Sequence, residues 1–445
     1  MSVKGKGIVI VGTQFGDEGK GKIVDFYASK TSISAVVRFN GGANAGHTIV
    51  ADGIKYALHL LPSGIVFEKP SFIGNGVVLE FEQLERELNE VKDKKNKDVI
   101  SLLRISERSF LVLPHHKEID QFQELIKKKS SKEAGTTKRG IGPAYSDKVN
   151  RISLRVVDLF DNDHLITTLS LMEEFYSYYK AEMGITFKKD EIRSNLLRFK
   201  EKFAPIITDV GHDIEQLLLN GKNVLFEGAQ ATLLDIDHGI YPFNTSSTTV
   251  ASGASSGSGI SIQYLNERIG VVKAYTSRVG GGPVMGELDY TKDVGKFIQQ
   301  EGYEFGTTTG RPRRIAWLDL VAIRYAIRIN GLTGLAITKV DILGMLTEFN
   351  VITSYENQTN GEKNYSQFPA QLSKFTTYKP IFQRFKGWGK KTDDEWKAYM
   401  DKGYESFPNE LKQFIAFIEK ETGTPIYVIG LGQSRDLTFE KIKVI

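Results

Sequence analysis

Gly12-Thr13-Gln14-Phe15-Gly16-Asp17-Glu18-Gly19-Lys20-Gly21-Lys22 combines glycines, acids and lysines in a spacing suited to phosphate chemistry. Glycines let backbone N–H groups approach phosphate oxygens, and a following helix end adds partial positive charge. Lys20 can neutralise phosphate charge. The segment departs from the common P-loop twice. The spacing from Gly12 to Gly19 is too long, and Gly21 stands where a Ser or Thr would hold magnesium. Asp17 is then the natural oxygen ligand for the metal. A carboxylate among phosphates is repelled unless a cation or a proton offsets it. As a base at that point, Asp17 would remove a proton from a bound substrate, and the resulting oxyanion would attack a γ-phosphate. A strand–turn–helix with surface charges is the plain alternative.

Three other segments add chemistry. Gly41-Gly42-Ala43-Asn44-Ala45-Gly46-His47-Thr48 places an imidazole in a flexible loop beside an amide, where it can donate a hydrogen bond to charge developing on oxygen. Gly334-Leu335-Ala336-Ile337-Thr338-Lys339-Val340-Asp341 reads as a strand followed by a Thr-Lys-x-Asp turn. The Asp341 carboxylate can accept the ring N–H and exocyclic amino group of guanine, a pair that adenine lacks, which favours GTP over ATP. Thr307-Thr308-Thr309-Gly310-Arg311-Pro312-Arg313 offers hydroxyls, a hinge-like glycine and guanidinium groups. Arginine holds carboxylates bidentately, so this loop suits a small diacid. A flexible basic loop contacting RNA phosphates is its alternative.

These residues need a scaffold. Gly7 to Gly12 reads as a buried parallel strand, and Lys20 to Lys30 as the helix after the glycine turn. Further strands are expected at Ala35 to Phe39, Asn223 to Phe226, Ile269 to Ala274, Gly334 to Thr338 and Ile426 to Ile429. Helical spacing marks Phe81 to Val91, Leu169 to Glu182, Ile192 to Phe203 and Leu318 to Asn330. This alternation predicts an α/β fold: a large, mostly parallel central sheet flanked by helices, with a P-loop-like GTP-binding architecture and peripheral helical excursions. Its functional loops belong at the carboxyl edge of the strands. The Lys-, Tyr- and Trp-rich stretch Gly361 to Asp401 is expected to leave the main sheet. No repeat or Pro/Ser linker divides the chain, and a single domain over residues 1–445 is the expectation.

Composition removes several function classes. A chain without cysteine has no disulfide or thiolate metal site. A net charge of +4 is too small to argue for nucleic acid, and the Lys92 to Lys97 and Lys127 to Lys132 runs read as solvated helix faces. No apolar run is long enough to cross a bilayer, and the opening residues pass straight into a strand pattern. A cytoplasmic setting without membrane or nucleic-acid partners is expected.

The pair Gly-Asp-Glu-Gly-Lys-Gly-Lys and Asn-Ala-Gly-His-Thr resembles the paired signature of the adenylosuccinate synthetase family. The resemblance continues through Gly135 to Tyr145, Phe226 to Gln230, Leu233 to Gly239 and Thr307 to Arg311, in order along essentially the whole chain. It implies GTP-dependent ligation of inosine monophosphate (IMP) and L-aspartate, the first committed step toward AMP, through a 6-phosphorylated intermediate. It implies catalytic roles for Asp17, His47, Lys20 and Gln230, and magnesium bound by Asp17 and the Gly46 carbonyl. GTP is implied to meet Gly16 to Lys22, Gly46, His47, Thr48, Arg313, Lys339, Val340, Asp341, Gly430, Leu431 and Gly432; the phosphate-loop members are Gly16, Asp17, Glu18, Gly19, Lys20, Gly21 and Lys22. IMP is implied to meet Asp17, Glu18, Gly19, Lys20, Asn44, Ala45, Gly46, His47, Thr137, Gln230, Thr245 and Arg311. Arg151 is implied to reach the monophosphate of a neighbouring subunit in a homodimer. Aspartate is implied to bind Thr307, Thr308, Thr309, Gly310, Arg311, Pro312 and Arg313. A regulatory GTPase, an RNA-binding protein and an ATP-dependent P-loop kinase remain the rival readings of the residues alone.

Overall fold

The structure is a computed structural model that describes residues 5–51, 53–130, 135–306, 310 and 312–445. Among these, ten strands form one sheet in the spatial order Thr438–Glu440, Ile426–Gly430, Gly334–Thr338, Glu267–Lys273, Gly7–Gly12, Asn223–Ala231, Ile33–Arg38, Ser71–Ile73, Leu103–Ser106 and Ile207–Thr208. Neighbours pair in parallel from Ile426–Gly430 to Glu267–Lys273 and from Asn223–Ala231 to Ile207–Thr208. The edge strand Thr438–Glu440 is antiparallel. This is the mostly parallel α/β sheet the alternating pattern predicts. Gly7–Gly12 is buried at every position, as expected for a β-branched run covered on both faces.

The chain divides into two compact units. The first is drawn chiefly from Tyr27–Ala229 and Thr245–Asn266. Its helix Phe81–Lys95 buries Phe81, Leu84, Leu88 and Val91, a three- and four-residue spacing that lines one face. The Phe81 ring stacks on Phe199 and Phe203 at 5.2 and 5.5 Å. The lysine run at the end of this helix is balanced locally. Lys94 pairs with Glu90 at 2.6 Å and Lys97 with Glu68 at 2.5 Å. It is a solvated helix end rather than a bare cationic face.

The second unit takes in Val9–Phe26, Gln230–Asn244 and Glu267–Ile445. Three of its strands, ending at Gly12, Thr338 and Gly430, each deliver a loop singled out in the sequence. Helix Leu320–Asn330 begins two residues later than its spacing suggests. The Asp319 carboxylate accepts from the Val321 and Ala322 N–H groups at 2.9 and 3.2 Å and so caps the helix there. Leu318 and Asp319 pair instead with Val351 and Ile352 in a separate sheet. The stretch after Gly361 does leave the main sheet, though not as helix alone. Tyr378–Lys386 pairs antiparallel with Glu348–Asn357, and the short helix Asp393–Lys402 follows. No helix among the described residues is long and apolar enough to cross a membrane.

Phe203 is fully buried. Phe203→Ala should cost about 3–5 kcal/mol through lost burial and the cavity left behind, read as a fall in the unfolding midpoint. Phe382→Ala, at an exposed ring, should change stability by less than about 0.5 kcal/mol.

Candidate active site

The phosphate loop is held open by its own side chains. Gly16 and Gly19 adopt φ of 82° and 84°, and Asp17 itself sits at φ 57°, a left-handed conformation that aspartate tolerates better than most residues. Gly12 has no room for a side chain, because a Cβ there would lie 2.5 Å from Glu18 Oε2 and 2.7 Å from the Ala231 methyl. Glu18 is fully buried, and its Oε1 accepts from the Gln14 and Gly16 N–H groups at 3.0 and 2.9 Å. Its Oε2 receives Lys20 Nζ at 2.6 Å. Thr338 Oγ1 donates to the Glu18 carbonyl at 2.5 Å, tying the loop to the neighbouring strand end. Glu18 therefore spends its carboxylate on the loop itself. Lys20 stands on this carboxylate, so a phosphate arriving at Lys20 shares the ammonium with it.

Asp17 faces the other way. Its side chain is 38% exposed, and its Oδ2 lies 2.8 Å from Arg313 Nε. Arg313 NH1 meets Glu304 Oε2 at 2.9 Å. Gln230, also at positive φ, leans over the loop: a methyl on Gly16 would sit 3.7 Å from Gln230 Oε1.

The base-reading turn lies in the same unit. Lys339 is left-handed at φ 62°, which turns the chain from strand into the short helix Val340–Gly344. Its Nζ donates to the Gly302 carbonyl at 3.0 Å. Burial pushes the Asp341 carboxyl above its usual range, and its Oδ1 is buried without a hydrogen-bond partner. Such an oxygen is costly unless donors arrive. Lys22 Nζ donates to the Gly432 and Leu437 carbonyls at 2.6 and 3.0 Å, fixing the Gly430-Leu431-Gly432 turn against the phosphate loop. Burial lowers the Lys22 ammonium to about 8.

In the first unit the second glycine loop is anchored at several points. Asn44 Oδ1 accepts from the Gly42 N–H at 3.1 Å, and His59 Nδ1 lies 2.5 Å from the Ala45 carbonyl oxygen. Gly41 N–H donates to the Tyr145 hydroxyl, which donates in turn to the Gly76 carbonyl at 2.5 Å. The Gly46 backbone is exposed. His47 corrects the loop placement expected from sequence: it is the first residue of strand His47–Ala51, paired with Leu58. The His47 ring is buried, with Nδ1 3.9 Å from Glu227 Oε2. Glu227 is fully buried, accepts from Ser63 Oγ at 2.5 Å and lies 3.9 Å from Arg38 NH1. Burial raises its carboxyl against the pull of Arg38. Sequence reasoning quoted Glu227 within a motif and gave it no role. Its partners lie far along the chain, so no local signal marks it.

Thr137 and Thr245 are half-buried, and Arg151 is exposed at φ 63°, closing helix Ile141–Asn150. Thr307, Thr308, Thr309 and Arg311 lie outside the described residues. Gly310 is left-handed at φ 64°, and Pro312 bridges to Phe305. Arg314, the last arginine of that cluster, is engaged with Glu287 and the Gly282 carbonyl.

His115, His116 and Asp147 bring potential metal-ligand atoms within 4.8 Å of one another. The hydrogen bonds argue for a clamp instead. His116 Nδ1 accepts from the Leu113 N–H at 2.9 Å, so its proton is on Nε2, which donates to Asp147 Oδ2 at 2.9 Å. Tyr176 donates to the other Asp147 oxygen at 2.6 Å. Burial, then the neighbouring His116, lowers His115 to about 4.

Comparison with known proteins bears on this arrangement. The sequence model of the adenylosuccinate synthetase family matches residues 9–439. The adenylosuccinate synthetase of Acetivibrio thermocellus is 43% identical over 433 residues, covering 97% of this chain and 98% of the relative. That of Caldicellulosiruptor bescii is 44% identical over 96% of this chain and 97% of its own. A fully ligated adenylosuccinate synthetase structure from Plasmodium falciparum superposes with a TM-score of 0.90 at 37% identity, covering 98% of this chain and all of that one. A cyanophage S-2L succinoaminodeoxyadenylate synthetase, at 17% identity and a TM-score of 0.61, shares the fold. With a family match of this extent and relatives above 40% identity along nearly the full length, the chain belongs to the adenylosuccinate synthetase family.

Proposed function

We propose that the chain joins IMP to L-aspartate at the expense of GTP, releasing adenylosuccinate, GDP and inorganic phosphate, with Asp17 as the base. The observation that carries this reading is Asp17 itself: a partly exposed carboxylate on a phosphate-binding loop, facing a guanidinium rather than the loop backbone. The 6-oxo group of hypoxanthine is a poor leaving group, since an amine displacing it directly would expel oxide. Asp17 takes the proton from ring nitrogen 1, and the electron pair moves onto O6. O6 attacks the γ-phosphorus, the bond to GDP breaks, and O6 becomes a phosphate ester. The aspartate amine then attacks C6 and inorganic phosphate leaves. His47, oriented beside Glu227, donates to the developing charge on O6. Lys20 and Gln230 complete the catalytic set, Lys20 offsetting charge on the transferring group.

Magnesium fits this residue set. The partly exposed Asp17 carboxylate and the carbonyl of Gly46, an exposed residue, would offer the hard oxygen ligands it takes. When bound, it would neutralise phosphate charge. The buried, partnerless Asp341 Oδ1 supports guanine as the base, because two N–H donors satisfy a carboxylate that adenine leaves unmet. Arg313 and the 307–313 loop hold the dicarboxylate substrate. Arg151, exposed at a helix end, reaches the IMP phosphate of a second copy, making a homodimer the active unit. A cytoplasmic location goes with this reading.

Asp17→Ala should lower kcat by about 10²–10⁴-fold while circular dichroism stays unchanged; substantial turnover in that variant removes the base assignment. His47→Asn should act mainly on kcat, and an effect confined to KM for IMP would make His47 a binding residue only. Asp341→Asn should weaken GTP by about 1–3 kcal/mol and shrink its advantage over ATP in a coupled assay. Unchanged discrimination would place guanine recognition elsewhere.

A further inference from the structure

Arg313 is gripped by its neighbours more firmly than a substrate-binding arginine requires. Its backbone N–H donates to the Glu304 carbonyl at 2.9 Å, and its NH1 donates to Glu304 Oε2 at 2.9 Å. One residue thus holds both ends of the arginine. Glu304 is itself fully buried and saturated with donors. Lys273 Nζ reaches both of its carboxylate oxygens, at 2.9 and 3.0 Å, and the Tyr275 hydroxyl donates to Oε1 at 2.5 Å. Lys273, buried in the strand Glu267–Lys273, has its ammonium completed by Ser277 Oγ at 2.5 Å. Burial opposes ionisation of Glu304, yet Lys273 and then Arg313 outweigh it and hold the carboxyl down at about 2.

The charges balance along one line: Lys273 positive, Glu304 negative, Arg313 positive, Asp17 negative. A buried pair of this kind persists only when its geometry is good and its remaining hydrogen bonds are filled. Here they are. A free arginine side chain carries about 2 kcal/mol of rotamer entropy that binding must remove. Glu304 removes it in advance, and it points the NH1 edge inward, away from the Asp17-facing Nε. That is preorganisation, which strengthens binding without a new substrate contact.

We infer that Glu304 is a positioning residue for the dicarboxylate substrate, acting through Arg313 and held in place by Lys273 and Tyr275. Glu304 touches no substrate; it sets the direction in which Arg313 presents its guanidinium. The inference rests on the assignment of Arg313 to aspartate made above.

Steady-state kinetics of Glu304→Gln test it. KM for aspartate should rise by about tenfold or more, the scale of one charge-assisted hydrogen bond, while KM for IMP stays within about twofold. Glu304→Asp should recover part of the loss. Tyr275→Phe, which removes one donor and no charge, should raise the aspartate KM in the same direction by a smaller factor. If Glu304→Gln does not accumulate folded, Tyr275→Phe decides alone: a raised aspartate KM supports the anchor, and an unchanged one overturns it. Equal rises in both KM values, or an unchanged aspartate KM in Glu304→Gln, also overturn it. Wild-type protein that makes no adenylosuccinate in the presence of aspartate would instead overturn the proposed function, so the two failures are distinguishable.

Discussion

A carboxylate on a loop built to receive polyphosphate is electrostatically expensive, and the surrounding structure answers that cost. Like charges a few ångströms apart repel strongly in a partly dehydrated site. Asp17 tolerates its position because the Arg313 guanidinium stands 2.8 Å away and is held there from behind by Glu304, a carboxylate shared with Lys273. The neighbouring acid, Glu18, solves the same problem differently. It is drawn fully inward, where Lys20 and two backbone N–H groups satisfy it. Two adjacent carboxylates therefore have opposite duties, one shaping the loop and one facing outward. Environment, not residue type, separates them.

The same logic recurs around other buried charges. Glu227 gathers Ser63, Arg38 and the His47 ring, so the histidine enters its strand with one edge already facing an acid. Lys22 spends its ammonium on two carbonyls and so joins the phosphate loop to the turn after Gly430. Asp341 differs, since one of its oxygens is left with no donor inside the protein. That oxygen lies on the turn assigned to the base. Buried polar groups left partly satisfied are uncommon enough in folded proteins to be informative.

Much of this was legible in the sequence because it is local. The strand Gly334–Thr338 begins and ends where its apolar run does, and the glycine spacing of residues 12–22 announces a phosphate loop. Asp17 and Asp341 stand out by residue type beside those signals. What local reading missed depends on distant partners. Glu304 meets Lys273 across 31 positions, and Glu227 meets Ser63 across 164. Nothing within a few residues of either acid tells a structural carboxylate from a solvated one. His47 was misplaced for a related reason: its strand exists only because Ile54–Leu58 returns to pair with it. Asp319 likewise looked like the interior of a helix, and its capping bonds make it the boundary.

The central claim is that Asp17 makes the purine oxygen a nucleophile toward the γ-phosphate before aspartate takes part. Positional isotope exchange in GTP tests it, with IMP present, aspartate absent and the β–γ bridging oxygen labelled. Wild-type protein should scramble the label into the β non-bridging positions, because phosphoryl transfer to O6 is reversible, and Asp17→Asn should bind GTP without scrambling it. Scrambling at the wild-type rate in Asp17→Asn would contradict the account.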